Sequence, residues 1–498
     1  MLKIAVNEIV LEQLRRAFPS PANSAKRALD KYVRVLEDKI NACLNMGRTE
    51  WARKIGAYDI SLEKLNNDGG QIGRDKMRVH KWLVANNLSL VRTVELGTKF
   101  SGKVSVVKLT ELVTVTDDTS MNTLKDMTDK DLDSFLNDLT VSDIVFVNTL
   151  FPTLSNLTEA EAAELFDLAP IDVESLKSYI HWLLHDAKHF NHQQRETTLR
   201  QAQIVLRISQ FTKGILPMEK IRSTFGRTYY GGVNVQNVHK SLREAMLGDS
   251  YEYDIRSSVI SWKMGFAREC YLTMASGDDF NTAFSAILGY LHDKKDFMAT
   301  VLHDTFDKDS TSDRSQQEKN VKKALTAFSF GARLSERGWF EANGVVKSPS
   351  LVTTIKNPDE RKRFTNSNTI KKFVAEQKLL DQYIYKKFTQ EYPDLLTMSE
   401  LQTGSGRASR SKVLAWLYQH AETTVMDVVR SELAKLNIEV IANVHDAIVV
   451  RQKLTKYQRE EIEFKMREVT NIKYWRLGET KYERYQSDKT RLSKNLSH

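Results

Sequence analysis

Apolar residues recur at three- and four-residue spacing through most of this chain, and that period predicts a mostly helical molecule. Residues 2 to about 90 are helical in pattern and rich in Lys and Arg, with breaks at 19–23 and 66–73. Between 93 and 116 the pattern changes to β-branched alternation, as in Val104-Ser-Val-Val-Lys-Leu-Thr and Leu112-Val-Thr-Val-Thr, which predicts a hairpin or wing. Thr158 and Glu161 have capping-box spacing and start a new helix. Pro170 and Asp172 open another, with Leu176, Ile180, Leu183 and Leu184 on one face, and a third runs from about 197 to 212.

The 498 residues are too many for one ordinary core, so two to four lobes are expected. Only 21 glycines and 8 prolines interrupt them, which favours long helices with few elaborate loops. Two cysteines, Cys43 and Cys270, exclude a disulfide scaffold and a four-thiolate zinc site. No apolar run approaches the ~18 residues that span a bilayer. The first ten residues carry Glu8 and no cleavage site, so the expectation is a soluble cytoplasmic chain with no membrane partner. A net charge of +9 attracts polyanions, nucleic acid first.

Three segments carry candidate chemistry. Ser250-Tyr-Glu-Tyr-Asp-Ile-Arg reads as a short strand ending near Asp254, before a helix beginning about residue 257. An acid there suits a metal ligand, and a helix cap serves equally. Residues 438–450 form the most apolar, β-rich run of the chain, interrupted by His445-Asp446 as a hairpin turn would interrupt it. A charge inside such a run is costly unless it is paired or binds metal. Two aspartates on neighbouring strands suit a pair of Mg²⁺ ions ~3.5–4 Å apart, the arrangement used for phosphoryl transfer. Between them, Lys322, Thr326 and Phe330 share one helical face, and Gly331 ends or loosens that helix.

With Ser223-Thr-Phe-Gly-Arg227 ahead of them, these segments occur in the order found in right-handed palm polymerases. The chain resembles the single-subunit phage and mitochondrial RNA polymerases, whose palm is shared with the family A DNA polymerases. The likeness covers roughly residues 220 to 455. It matches Asp254 to motif A, Lys322 through Phe330-Gly331 to motif B, and His445-Asp446 to motif C. Residues 410–428, with Gln419 and Asp427, are similar to the helix before motif C. The resemblance implies an α+β, mostly helical right hand with a helical N-terminal domain. Its parts would be an N-terminal domain (1–150), a thumb-like region (151–219), a first palm part (220–300), fingers (301–390), and a second palm part with the C-terminal segment (391–498).

It also implies template-dependent RNA synthesis on DNA. Asp254, Asp446 and the backbone of Ile255 would hold two Mg²⁺. Lys322 would hold the triphosphate, and Arg314, Lys319 or Lys323 would take over the phosphate contact of the motif B arginine, with Phe330 against the new base pair and His445 at the RNA 3′ end. Arg227, Tyr230 and Gln419 would contact template. The implied partners are a DNA template, the RNA product and rNTPs, with a single-stranded-DNA-binding or transcription factor as an auxiliary. A monomer is expected, in the bacterial host cytoplasm if the chain is phage-encoded.

Departures from the pattern decide the branch. The DNA polymerases place a bulky Glu five residues after the motif A aspartate, where this chain has Val259, and they read His-Asp-Glu where it reads His445-Asp446-Ala447. Both differences favour ribonucleotides. Asn234-Val-Gln-Asn237 points instead to the DNA polymerases, Phe330 replaces a tyrosine, and Glu318 stands where motif B has an arginine. No upstream acidic cluster suits a proofreading domain. Asp129-Lys-Asp131-Leu-Asp133 lacks the rest of a calcium loop and reads as a solvated helix start.

Two other classes compete. Four His-Asp pairs, at 185–186, 292–293, 303–304 and 445–446, suit a metal phosphohydrolase, although such enzymes set the pair on helices. His181, His185 and His189, with His192 nearby, recur at helical spacing on a face largely apart from the apolar stripe. A binding factor on a decayed palm is the other class, and the retained Asp254, Lys322 and Asp446 argue against it.

Overall fold

The computed structural model describes residues 2–20, 23–46, 52, 55–97, 104–117, 120–151, 157–187, 190–224, 226–274, 277, 279–307, 310, 313–336, 351–403 and 406–486. The chain divides into two compact units. One comprises Met1–Glu219, Gly231–Asp249 and Tyr482–His498, the other Lys220–Tyr230 and Ser250–Lys481. Helix dominates both, with short antiparallel sheets, so the fold class is mostly helical α+β.

In the first unit the helix Ser24–Met46 buries Tyr32, Leu36 and Ile40 against Val10 and Leu14 of the helix Glu8–Ala17. The helical pattern expected over residues 2–90 holds only in part. Leu2–Val6 is a strand, paired antiparallel with Val113–Asp117. Its apolar Leu2, Ile4 and Val6 alternate with Lys3 and Ala5, a period-two pattern inside helix-rich surroundings. The β-branched region does pair as strands, Val91–Glu95 with Ser105–Leu109, and Tyr58–Ile60 extends that sheet. Farther on, the Thr158–Glu161 capping box opens the helix Glu159–Leu165. Asp172 caps Val173–His185, which buries the expected stripe of Leu176, Ile180, Leu183 and Leu184. Asn234-Val-Gln-Asn237 forms a self-bonded turn, in which Asn234 Oδ1 accepts from the N–H groups of Gln236 (2.8 Å) and Asn237 (3.2 Å).

The second unit is built on a four-stranded sheet. Its strands in chain order are β1 (Ser250–Asp254), β2 (Val440–Val444), β3 (Ala447–Val450) and β4 (Thr480–Tyr482), and their spatial order is β2-β3-β1-β4. Four helices of this unit carry or brace the candidate residues: α1 (Ser258–Gly265), α2 (Arg314–Ser329), α3 (Asn368–Glu391) and α4 (Arg410–Lys435). All four residues of β3, Ala-Ile-Val-Val, are buried, as a continuous apolar run between two neighbouring strands requires. Helix α1 is buried on nearly every face because α3 and α4 both pack on it. Trp262 of α1, with Trp475, Phe284, Phe364 and Phe373, is among the largest fully buried side chains of this core.

One charged pair crosses that core. Lys263 Nζ lies 2.6 Å from Asp381 Oδ1 on α3 and donates to the carbonyl of Ser329 (2.7 Å) at the end of α2. The pair therefore ties the C-terminus of α2 to α1 and α3.

Candidate active site

The hairpin β2–β3 turns at His445-Asp446, with Val444 opposite Ala447. His445 takes a left-handed φ of 54°, a conformation that His tolerates better than β-branched residues do. Strand β1 lies on the other side of β3, so Asp254 faces Ala447 and the Ile255 N–H donates to the Asp446 carbonyl at 3.1 Å. The two aspartates thus sit at adjacent strand ends.

Asp254 does not cap the following helix. The N-cap of α1 is Ser257, which makes no side-chain capping bond. Among the described residues the Asp254 carboxylate has no hydrogen-bonding or ionic partner. Its near wall is Gly478, whose N–H donates to the Asp254 carbonyl at 2.7 Å. A Cβ at position 478 would fall 2.1 Å from Asp254 Oδ1, so this close approach requires glycine.

Asp446 faces a buried polar chain. Ser258 Oγ donates to Asp446 Oδ2 (3.3 Å), and the Tyr418 hydroxyl lies 2.8 Å from Ser258 and bonds Glu422. The Glu422 side chain is only 1% exposed and receives both Nε and Nη2 of Arg227 at 2.6 Å, a bidentate pair. Burial above all, then the negative charge of Glu422 and more weakly that of Asp254, pushes the Asp446 carboxyl up to about 6, against the opposing pull of Arg227. Burial and the Glu422 charge likewise hold the Tyr418 hydroxyl well above its ordinary range.

The motif-like helix α2 presents Lys322, Thr326 and Phe330 on its exposed side, as the spacing predicts. It ends at Ser329, and Gly331 takes φ 83° just beyond. Lys322 and Arg314 each lie 3.9 Å from Glu318, so the acid at the arginine position holds both candidate phosphate ligands, while Lys319 points to solvent. The ring of Phe330 is 5.9 Å from that of Tyr418, edge to face. Phe330 and Val259 line one small cavity with Trp262, Gly331 and Tyr418.

The template candidates divide. Arg227 is engaged by Glu422 through its bidentate pair. Tyr230 is turned inward, 6% exposed, in a short strand paired with residues 220–222, so it cannot stack on a template in this arrangement. Tyr229, one position earlier and so on the opposite face of that strand, instead lies 6.0 Å from the His445 ring. Gln419 Oε1 and His420 Nε2, adjacent on α4, are buried polar atoms without a hydrogen bond among the described residues, and such orphans mark places a ligand can satisfy. His420 packs on Gly226 (φ 86°), where an added Cβ would meet its Nδ1 at 2.8 Å. Asp427 pairs with Arg430 at 2.6 Å.

The other His-Asp pairs lie at helix ends or on helices: 185–186 and 292–293 close helices, and 303–304 lies in Lys294–Thr305. The rings of His181 and His185 stack 6.4 Å apart, and His189 lies outside the described residues. Asp129 and Asp131 fall in the first turn of a helix capped by Thr128. Among the described residues no three His, Cys, Asp or Glu side chains converge as a metal cage. The donor set at β1 and β3 nevertheless suits a hard cation. Mg²⁺ needs only one or two carboxylates beside substrate phosphates, and Asp254, Asp446 and Glu422 together outnumber Arg227.

Ser258, Tyr418, Glu422 and Gly478 are not among the site residues read from sequence. Glu422 was findable. It stands four residues after Tyr418, on the stripe of Val413, Leu414, Leu417, Val425 and Met426, where an acid has no reason to be buried without a partner.

No family model matches the chain, and no curated protein matches it. Among solved structures it is similar to the POL domain of Pol1 from M. smegmatis, in complex with DNA primer-template and dNTP. That likeness has 13% identity and a TM-score of 0.35 over 97% of this chain and 68% of the other. The reading of the site rests on its own geometry. No helix among the described residues is long and apolar enough to cross a membrane.

Proposed function

We propose that this chain is a template-dependent nucleotidyltransferase that extends an RNA 3′ end with ribonucleotides on a DNA template. The observation that carries this is the pair of aspartates on adjacent antiparallel strands, one unpartnered among the described residues and the other held against excess negative charge. In the reaction the 3′-oxygen forms a bond to the α-phosphorus, the α–β phosphoanhydride bond breaks, and pyrophosphate leaves. Asp254 and Asp446, with the Ile255 backbone, would hold Mg²⁺, which when bound makes a 3′-hydroxyl more acidic and neutralises polyphosphate charge.

The chain's own residues do the positioning. Lys322 and Arg314 exchange Glu318 for the triphosphate, with Lys319 beside them. Phe330 lies against the new base pair and His445 at the product end. Val259 leaves room for a 2′-hydroxyl, because a valine reaches less far than the Glu of the DNA polymerases. Arg227 and Gln419 meet the template strand. In this reading the four-stranded sheet is the palm, and residues 301–390 are the fingers.

A DNA polymerase is the second reading. It is favoured by the Asn234–Asn237 turn and by Phe330, which lacks a hydroxyl to select ribose. Extension of an RNA primer on a DNA template, with rNTPs and with dNTPs in parallel, separates them. Preference for rNTPs supports the first reading, and preference for dNTPs moves the chain to the second.

A further inference from the structure

Four side chains of the second unit form a line of oxygens whose hydrogens do not balance. Asp446 Oδ2 lies 3.3 Å from Ser258 Oγ on α1, Ser258 Oγ lies 2.8 Å from the Tyr418 hydroxyl on α4, and that hydroxyl bonds Glu422 one turn on. Each of these contacts needs one hydrogen to be a hydrogen bond. A serine and a tyrosine hydroxyl supply one each, and a carboxylate only accepts. Two hydrogens therefore serve three contacts.

Burial decides where the tyrosine hydrogen goes. Glu422 and Tyr418 are 1% and 2% exposed, and a carboxylate so deeply buried needs every donor within reach. Tyr418 therefore donates to Glu422, beside the Arg227 fork. The Ser258 hydrogen then has two acceptors among the described residues, Asp446 Oδ2 and the Tyr418 oxygen. While it points at Asp446, the 2.8 Å contact holds two facing lone pairs. When it turns to Tyr418, Asp446 Oδ2 is left bare at the half-buried end of the line. Rotation about the Ser258 Cβ–Oγ bond interconverts the two, with no heavy atom displaced.

We propose that Tyr418 is a positioning residue that takes over the Ser258 hydrogen when a divalent cation occupies Asp446 Oδ2. The proposal rests on the reading of Asp446 as a cation ligand. A donor aimed at Oδ2 competes with a cation for that oxygen, and a serine with no second acceptor would keep its hydrogen there. Tyr418 supplies the second acceptor and so removes the competition. Packing holds its oxygen in place: the ring lies 5.8 Å from that of Trp262 and 5.9 Å from that of Phe330, contacts a phenylalanine would keep.

The test titrates Mn²⁺ into the full-length protein and follows the free ion by electron paramagnetic resonance, with Mg²⁺ as competitor. The binding of interest is the part lost in Asp446→Asn. Tyr418→Phe should weaken it roughly tenfold, the size of one hydrogen bond to a charged group. Ser258→Ala, which has no hydrogen to aim at Asp446, should stay within about threefold of the native protein. Adding Ser258→Ala to Tyr418→Phe should restore affinity to that level, a recovery that disturbed packing cannot produce. Native-like affinity in Tyr418→Phe would overturn the proposal, as would a double variant as weak as Tyr418→Phe. So would a tenfold loss in Ser258→Ala alone, which would make Ser258 a cation ligand in its own right. Asp446→Asn binding Mn²⁺ as tightly as the native protein would instead remove Asp446 as a ligand, and the role of Tyr418 with it.

Discussion

Replacing Asp381 by leucine should be among the most damaging single changes in the second unit, although Asp381 lies outside the candidate site. Lys263 is fully buried and, among the described residues, has Asp381 as its only ionic partner. Losing that partner leaves an uncompensated ammonium in the core, which costs ~3–5 kcal/mol. For a cooperative unit of this size, ~2–4 °C per kcal/mol converts that to a fall of roughly 6–20 °C in Tm. The double variant Lys263→Met/Asp381→Leu removes both charges at similar volume. It should recover to within about 1–2 kcal/mol of the native protein, the remainder being the hydrogen bond to the Ser329 carbonyl.

A pH series adds a second constraint. In the native chain burial lowers the Lys263 pKa against the opposing pull of Asp381, and in Asp381→Leu that pull is gone, so the pKa falls further. Between that lowered value and the ordinary ~10.4 the unfolded chain binds more protons than the folded one, so stability rises with pH. The deficit measured by urea unfolding should therefore shrink from pH 7 to pH 10. Because Lys263 anchors Ser329, next to Phe330, the single variant should also raise nucleotide KM more than it lowers kcat. A deficit below ~1 kcal/mol at pH 7, or a double variant no better than the single one, would refute this reasoning.

Further outcomes concern the site itself. Asp446, at about 6 in the fold against ~3.9 unfolded, favours the folded state only while protonated, and that contribution is lost as pH rises from about 4 through 6. Asp446→Asn should therefore be more stable than the native protein at pH 7 by roughly 1–3 kcal/mol, with the gap closing below pH 4. Millimolar Mg²⁺ should raise the Tm of the native protein and leave that of Asp446→Asn unmoved, since only a cation held by this carboxylate stabilises the folded state by mass action. Gly478→Ala should abolish extension while the melting temperature stays within a few degrees, because its Cβ displaces the Asp254 carboxylate rather than opening a core cavity. Glu422→Gln should release Arg227 and tighten template binding severalfold in filter-binding titrations, at some cost in stability.

Much of the site was legible because its residues break local rules. His445-Asp446 stands out as a polar pair inside an apolar run, and the chain does turn there. Asp254 ends a strand without capping the next helix. The shared face of Lys322, Thr326 and Phe330 comes directly from helical spacing. What was hidden depends on distant partners. Glu422 becomes intelligible only once Arg227, 195 positions away, closes on it. Leu2–Val6 looks helical by neighbourhood because its strand partner begins at Val113. Tyr229 and Tyr230 are alike in sequence, and the pleat of a three-residue strand turns one outward and the other inward.

The most direct measurement is Mg²⁺-dependent extension of a labelled RNA primer on a DNA template by the native protein, Asp254→Asn and Asp446→Asn side by side, with melting temperature and template affinity recorded for each. A two-aspartate centre predicts ladder formation by the native protein alone, at least ~10³-fold above both variants (about 4 kcal/mol of barrier), while all three remain folded and bind template. Extension retained by either asparagine variant would contradict it, as would a folded native protein that binds template and incorporates nothing.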